Sequence, residues 1–153
     1  MVRRLTIHFT LDEFVFSQTA TRRGIDNTPP PEAVDNLMRV ARMLEDVRDL
    51  LGGIPVLVSS GYRSPQLNAV IAGSSPTSAH MAGLAADFIA PGFGSPKEIC
   101  LAIAGAGLEF DQVIHEFGRW VHLGLAPEDR VPRRQLLSKF ENTPFLSGIV
   151  DQP

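Results

Sequence analysis

Apolar residues recur at three- and four-residue steps through one long stretch of the chain: Val34, Leu37, Met38, Ala41, Leu44, Val47 and Leu51. That period draws a single apolar stripe along a helix and predicts one from Pro31 or Glu32 to about Leu51. Gly52-Gly53 stops it. Shorter elements lie on either side. Thr10-Leu11-Asp12-Glu13 has the form of a capping box and predicts a short helix. Residues 17 to 31 are polar, end in three prolines and read as a surface loop. Pro55 to Ser59 is a short β-branched run, hence a strand. Ser64-Pro65 opens a helix to about Ala72, with proline at its first position. A Gly/Ser/Pro loop from Gly73 to Ser78 leads to His80, and Ala86 to Ala90 reads as a strand. Ser95-Pro96-Lys97-Glu98 is a second capping box, opening a helix to about Ala104. Gln112 to Glu116 and Trp120 to Leu125 read as two strands joined by a hairpin through Phe117-Gly118-Arg119.

Helices come first and short strands cluster later. This order predicts an α+β domain, a small antiparallel sheet flanked by helices. With 153 residues, one domain over 1–153 is expected, with a core of about 8–126 and a C-terminal tail over 127–153. The tail carries Arg130, Arg133, Arg134 and Lys139. A short basic cluster in a chain of net charge −3 predicts a solvated tail or terminal helix, not a polyanion site, and argues against nucleic acid as a partner. No apolar run approaches the ~20 residues of a transmembrane segment. The first ten residues hold two arginines but no apolar stretch after them. That is not a signal peptide, so synthesis in the cytoplasm or a removed leader is expected. Cys100 is the one cysteine, in an apolar run that predicts a buried, inert thiol.

The chemistry concentrates in His80-Met81-Ala82-Gly83-Leu84-Ala85-Ala86-Asp87 and, later, Trp120-Val121-His122. Two imidazoles and a carboxylate suit zinc, and three protein ligands leave a fourth position for water, the mark of a catalytic ion. Gly83 permits a tight backbone path between His80 and Asp87. An aspartate in the apolar stretch from Ala85 to Ile89 is costly unless paired or metal-bound. On a strand, Trp120, His122 and Gly124 share one face and Val121, Leu123 and Leu125 the other.

Taken together, Ser59-Ser60-Gly61-Tyr62-Arg63-Ser64, Ser78-x-His80-x-x-Gly83-x-x-x-Asp87, Phe110-Asp111-Gln112-Val113-Ile114 and Trp120-x-His122 resemble the zinc D-Ala-D-Ala carboxypeptidase family. That family shares its fold with the Hedgehog signalling domain and includes phage endolysins and D,D-dipeptidases. The resemblance spans roughly residues 8 to 126. It implies one Zn2+ per chain on His80, Asp87 and His122, with Arg63 bonding the scissile carbonyl and the developing oxyanion. Ser78 would hold the substrate backbone or orient the site, and Gln112 would line it. The implied partner is a peptidoglycan stem peptide, cut by a monomer next to a D-amino acid. The implied setting is the cell wall, and the missing signal peptide points to a phage or prophage lysin that reaches it after the membrane is permeabilised.

The general base departs from the family pattern. Many members carry an acid three residues before the last histidine, where this chain has Arg119. The nearest acid upstream is Glu116, which a hairpin turning at Phe117 to Arg119 returns toward His122, so Glu116 is the expected base. His115 is the alternative, because one residue of register slip exchanges the two faces. A surface ion pair of Glu116 with Arg119 would leave the chain without its base. It would then be a non-catalytic zinc-binding recognition module or a phage structural part. A metal-free interaction domain would require the His-Asp-His set to be coincidental.

Overall fold

The computed structural model describes residues 3–153. Among the described residues five α-helices are formed: α1 Leu11–Val15, α2 Gln18–Arg23, α3 Pro31–Leu50, α4 Pro65–Val70 and α5 Pro96–Ala104. Six strands, β1 Leu57–Ser60, β2 Ala85–Ile89, β3 Gln112–Glu116, β4 Trp120–Gly124, β5 Gln135–Lys139 and β6 Leu146–Ser147, form one sheet in the order β1-β2-β4-β3-β5-β6. All pairings are antiparallel except β3 with β5. The architecture is the expected α+β domain, with the sheet mostly antiparallel.

Local chemistry explains the helix boundaries. Thr10 caps α1 by accepting from the Glu13 backbone N–H, and Ser95 with Glu98 closes a reciprocal box at the start of α5. Helix α3 begins with Pro31 at its first position and runs to Leu50. Its buried stripe of Ala33, Leu37, Val40, Ala41, Leu44 and Val47 faces the sheet and α5. The sheet answers with Ala86 and Phe88 from β2, Val121 and Leu123 from β4 and Val113 from β3, while α5 adds Ile99, Cys100 and Ile103. Burying one such large side chain is worth about 1.5–3 kcal/mol. This packing fixes the sheet, and with it the opposite face, where Asp87, His122 and Glu116 stand.

Two expectations fail. The span 17–31 is not all loop, because Gln18–Arg23 is helical. Ser17 caps that helix by accepting from the Ala20 N–H, and Gly24 closes it in a left-handed conformation with φ of 64°. Only Ala20 of α2 is buried, so no apolar period announces the helix. The segment after Pro127 is neither a solvated tail nor a helix. Its residues 135–139 add β5 to β3 in parallel, Glu116 pairing with Lys139, and β6 pairs on β5 beyond it. Residues far apart in sequence make this pairing, and a local reading does not see it. The basic cluster is spent locally: Arg133 grips Asp111 with contacts of 2.7–3.2 Å.

Candidate active site

His80 lies in a short 3-10 turn, Ala79–Ala82, and not in an open loop. Ser78 caps this turn, its hydroxyl accepting from the His80 N–H at 3.2 Å. Gly83 ends it with φ of 72°, which a glycine adopts freely. A Cβ at Gly83 would also come within 2.5 Å of the Ala33 carbonyl oxygen, so α3 approaches this turn as closely as a glycine permits. Two residues later β2 begins and delivers Asp87 to the face of the sheet opposite the core. Asp87 and His122 are direct partners across the β2–β4 ladder.

The three side chains are buried, with exposures of 3% for His80, 5% for Asp87 and 7% for His122. Asp87 Oδ1 lies 3.3 Å from His80 Nε2 and 3.0 Å from His122 Nδ1. One donor atom from each residue falls within 4.8 Å of the others. Two ligands on a tetrahedral ion at bond lengths of 2.0–2.1 Å stand about 3.3 Å apart, so these separations fit a metal of that kind. The second nitrogen of His80 is also engaged: Nδ1 lies 2.6 Å from the Gly61 carbonyl oxygen. A carbonyl can only accept, so Nδ1 carries the proton and Nε2 presents its lone pair to the cluster. His80, Asp87 and His122 can therefore hold a metal ion.

The electrostatics of His80 and Asp87 agree with this geometry, whereas Asp87 biases His122 toward its protonated form. Burial lowers the proton affinity of His80, with Asp87 opposing, so its imidazole is held neutral as a ligand must be. Burial alone would raise Asp87, but His80 and His122 outweigh it and hold the carboxyl well below the usual carboxylate range. For His122 burial again acts downward, and the Asp87 hydrogen bond and charge more than offset it.

The β-hairpin decides which of two neighbours faces the cluster. Phe117 and Gly118 both take left-handed φ, 58° and 66°, and Arg119 N–H closes the turn on the Glu116 carbonyl at 2.9 Å. This register pairs Glu116 with Trp120 and Ile114 with His122, so Glu116 shares the face of His122. Its carboxylate lies 3.9 Å from His122 Nδ1, and among the described residues it makes no ion pair with Arg119. Burial, then the nearby Asp87 charge, push its carboxyl up to about 6, while His122 and Arg63 act the other way. His115 is on the opposite face, its ring edge-on to Phe140 and its Nδ1 3.2 Å from the Val150 carbonyl.

Arg63 follows β1, and its guanidinium reaches Asp87 Oδ2 at 3.5 Å. Ser78 meets the cluster through the backbone of His80. Gln112 opens β3 on the face of Glu116 and donates to Gln135 Oε1 at 2.8 Å. Five expected site residues thus converge, His80, Asp87, His122, Glu116 and Arg63, with Ser78 and Gln112 at the edges.

The family described as Peptidase M15 matches residues 7–124. The chain belongs to that family. Comparison with curated proteins gives no match. The buried cluster, Arg63 and the β3–β4 hairpin all fall within the span that this M15 peptidase shares with its family. Strands β5 and β6 lie outside it.

Sequence reasoning missed the Gly61 carbonyl. Gly61 appears in the motif before Arg63, but a backbone acceptor leaves no side-chain signature. It also missed Gln135, which sits in what reads as a tail.

Proposed function

We propose that this M15 peptidase is a zinc metallopeptidase that hydrolyses peptidoglycan peptide bonds next to a D-amino acid, as a D,D-carboxypeptidase or an endolysin-type endopeptidase. One observation carries the reading. Three buried donors converge within 4.8 Å of one another, the carboxylate 3.0 and 3.3 Å from the two imidazoles, with a carboxyl of raised proton affinity 3.9 Å from one of them. His80, Asp87 and His122 would hold the zinc, which when bound would lower the pKa of a water toward about 7 and polarise the scissile carbonyl.

The chain's own groups do the rest. Glu116 receives the proton from the attacking water and returns it to the leaving amine, and a carboxyl that titrates near 6 is suited to both transfers. Arg63, held against Asp87, offers its free donors to the oxyanion. Ser78 fixes the turn that carries His80, and Gln112 lines the substrate path along β3. The resemblance of the motifs to wall-cleaving enzymes supports a stem peptide as substrate and a phage lysin as the setting.

The test measures zinc per chain and the release of new amine groups from purified peptidoglycan, with and without a chelator, for the parent and Glu116→Gln. The expected result is about one zinc per chain, chelator-sensitive release, and loss of release with zinc retained in Glu116→Gln. Zinc without release across several wall chemotypes would overturn hydrolysis in favour of a non-catalytic recognition module. A chain that binds no zinc would overturn the reading altogether.

A further inference from the structure

Asn27 lies in the stretch between α2 and α3, far in sequence from every group in the cluster, and is 8% exposed. A carboxamide buried in that way is costly unless its donors and acceptor are used. Here they are. Its Nδ2 donates to the Val15 carbonyl at 2.8 Å and to the Tyr62 carbonyl at 3.1 Å, and its Oδ1 accepts from the Ser64 N–H at 2.8 Å. Two of these bonds fall on the backbone immediately before and immediately after Arg63.

The rest of that segment is tied down as well. Gly61 O meets His80 Nδ1, Tyr62 N–H donates to Phe14 O at 2.7 Å, and Arg63 N–H donates to His80 O at 3.1 Å. Ser64 caps α4 through its own hydroxyl. Among these ties Asn27 is the one side chain that grips both peptide units flanking Arg63. It anchors them to the end of α1 through Val15. An arginine has a long, flexible stem, so the position of its guanidinium depends on how rigidly its backbone is fixed. A misplacement of about 1 Å can cost on the order of 100-fold in rate.

We infer that Asn27 is a positioning residue for Arg63: its carboxamide clamps the Tyr62 and Ser64 backbone so that the guanidinium is presented to the substrate carbonyl. The inference rests on the proposed hydrolytic role of Arg63, but the clamp itself can be tested without catalysis. Asn27→Asp keeps the size and the acceptor for Ser64 while replacing the two donations by carboxylate–carbonyl repulsion. Asn27→Ala removes all three bonds.

Amide hydrogen exchange by NMR on the zinc-loaded chain reads the clamp. In Asn27→Ala the Arg63 and Ser64 amides should lose protection, while those of β2 and β4 keep theirs. Steady-state kinetics on a stem peptide reads the consequence. The expected result is a fall in kcat of roughly 10- to 100-fold with little change in KM and unchanged zinc content, a similar fall in Asn27→Asp, and no further loss when Asn27→Ala is added to Arg63→Ala. Retained protection at Arg63 and Ser64 would overturn the clamp. An equal fold-loss in the parent and Arg63→Ala backgrounds would show a general structural effect and overturn the positioning role. A parent that hydrolyses no wall peptide overturns the proposed function instead, and amide exchange still decides whether Asn27 holds the segment.

Discussion

Gly61→Ala joins the packing of this fold to its candidate metal centre. A Cβ at Gly61 would lie 2.5 Å from the Phe14 carbonyl oxygen and 2.8 Å from both Cα and Cβ of Phe14. These are backbone and near-backbone atoms of α1, so no flexible side chain can swing aside. The segment cannot simply lift away either, because the Tyr62 N–H is bonded to that same Phe14 oxygen. Overpacking of this kind costs about 1–3 kcal/mol. At about 2–4 °C per kcal/mol for a chain of this size, the melting temperature should fall by roughly 2–12 °C. The displaced Gly61 carbonyl would also release His80 Nδ1, and losing the outer partner of a metal-binding histidine costs about 10–100-fold in metal affinity. Thermal denaturation with chelator reads the first effect, and zinc competition against a chromophoric chelator reads the second. Gly105→Ala is the control, since its added Cβ meets nothing closer than 3.7 Å. If Gly61→Ala were indistinguishable from Gly105→Ala in both assays, this contact would not set the position of His80.

Other perturbations separate the parts of the site and the fold. His80→Ala or His122→Ala should abolish zinc binding and amine release together, whereas Arg63→Ala should keep zinc and lose about 100-fold or more in kcat/KM; full activity in the arginine variant would remove its assigned role. Cys100 is fully buried and its thiol is pushed up to about 12, so it should resist a thiol reagent at pH 8 in the native protein and react once denatured. Hydrogen bonds from Arg133 lower the Asp111 carboxyl below its ordinary 3.8, so their contribution is present above that pH and is lost as pH falls through the lowered folded value. Arg133→Ala, which removes a solvent-screened pair, should therefore cost up to about 1 kcal/mol in denaturant melts at pH 7, with the gap closing in acid; a gap that widened in acid would reverse the sign of the linkage.

What could be read along the chain follows from how far each interaction reaches. Caps and periods are local, and so α1, α3 and α5 were legible: Thr10, Ser95 with Glu98, and the stripe from Leu37 to Val47 act within a few residues of themselves. The three donor side chains were legible because their chemical types are rare together and costly to bury without a purpose. Glu116 against His115 was not, because the answer lay in the register of a turn, and only the left-handed Phe117 and Gly118 fix which of the two shares a face with His122. Strand β5 was hidden for a related reason. Its half-buried residues Gln135 to Leu137 gain a reason to be extended only once β3 lies alongside. The same limit applies to Asn27 and to the carbonyl of Gly61. A polar residue in a proline-rich stretch reads as solvated, and a backbone oxygen reads as nothing at all. Yet these two groups hold the segment between Gly61 and Ser64 in place. The donor set is written in side chains, whereas the precision of the site is supplied by backbone contacts that exist only after the chain has folded. Substitutions that leave every candidate ligand intact, at Gly61 or Asn27, are therefore the sharper test of how this site is built.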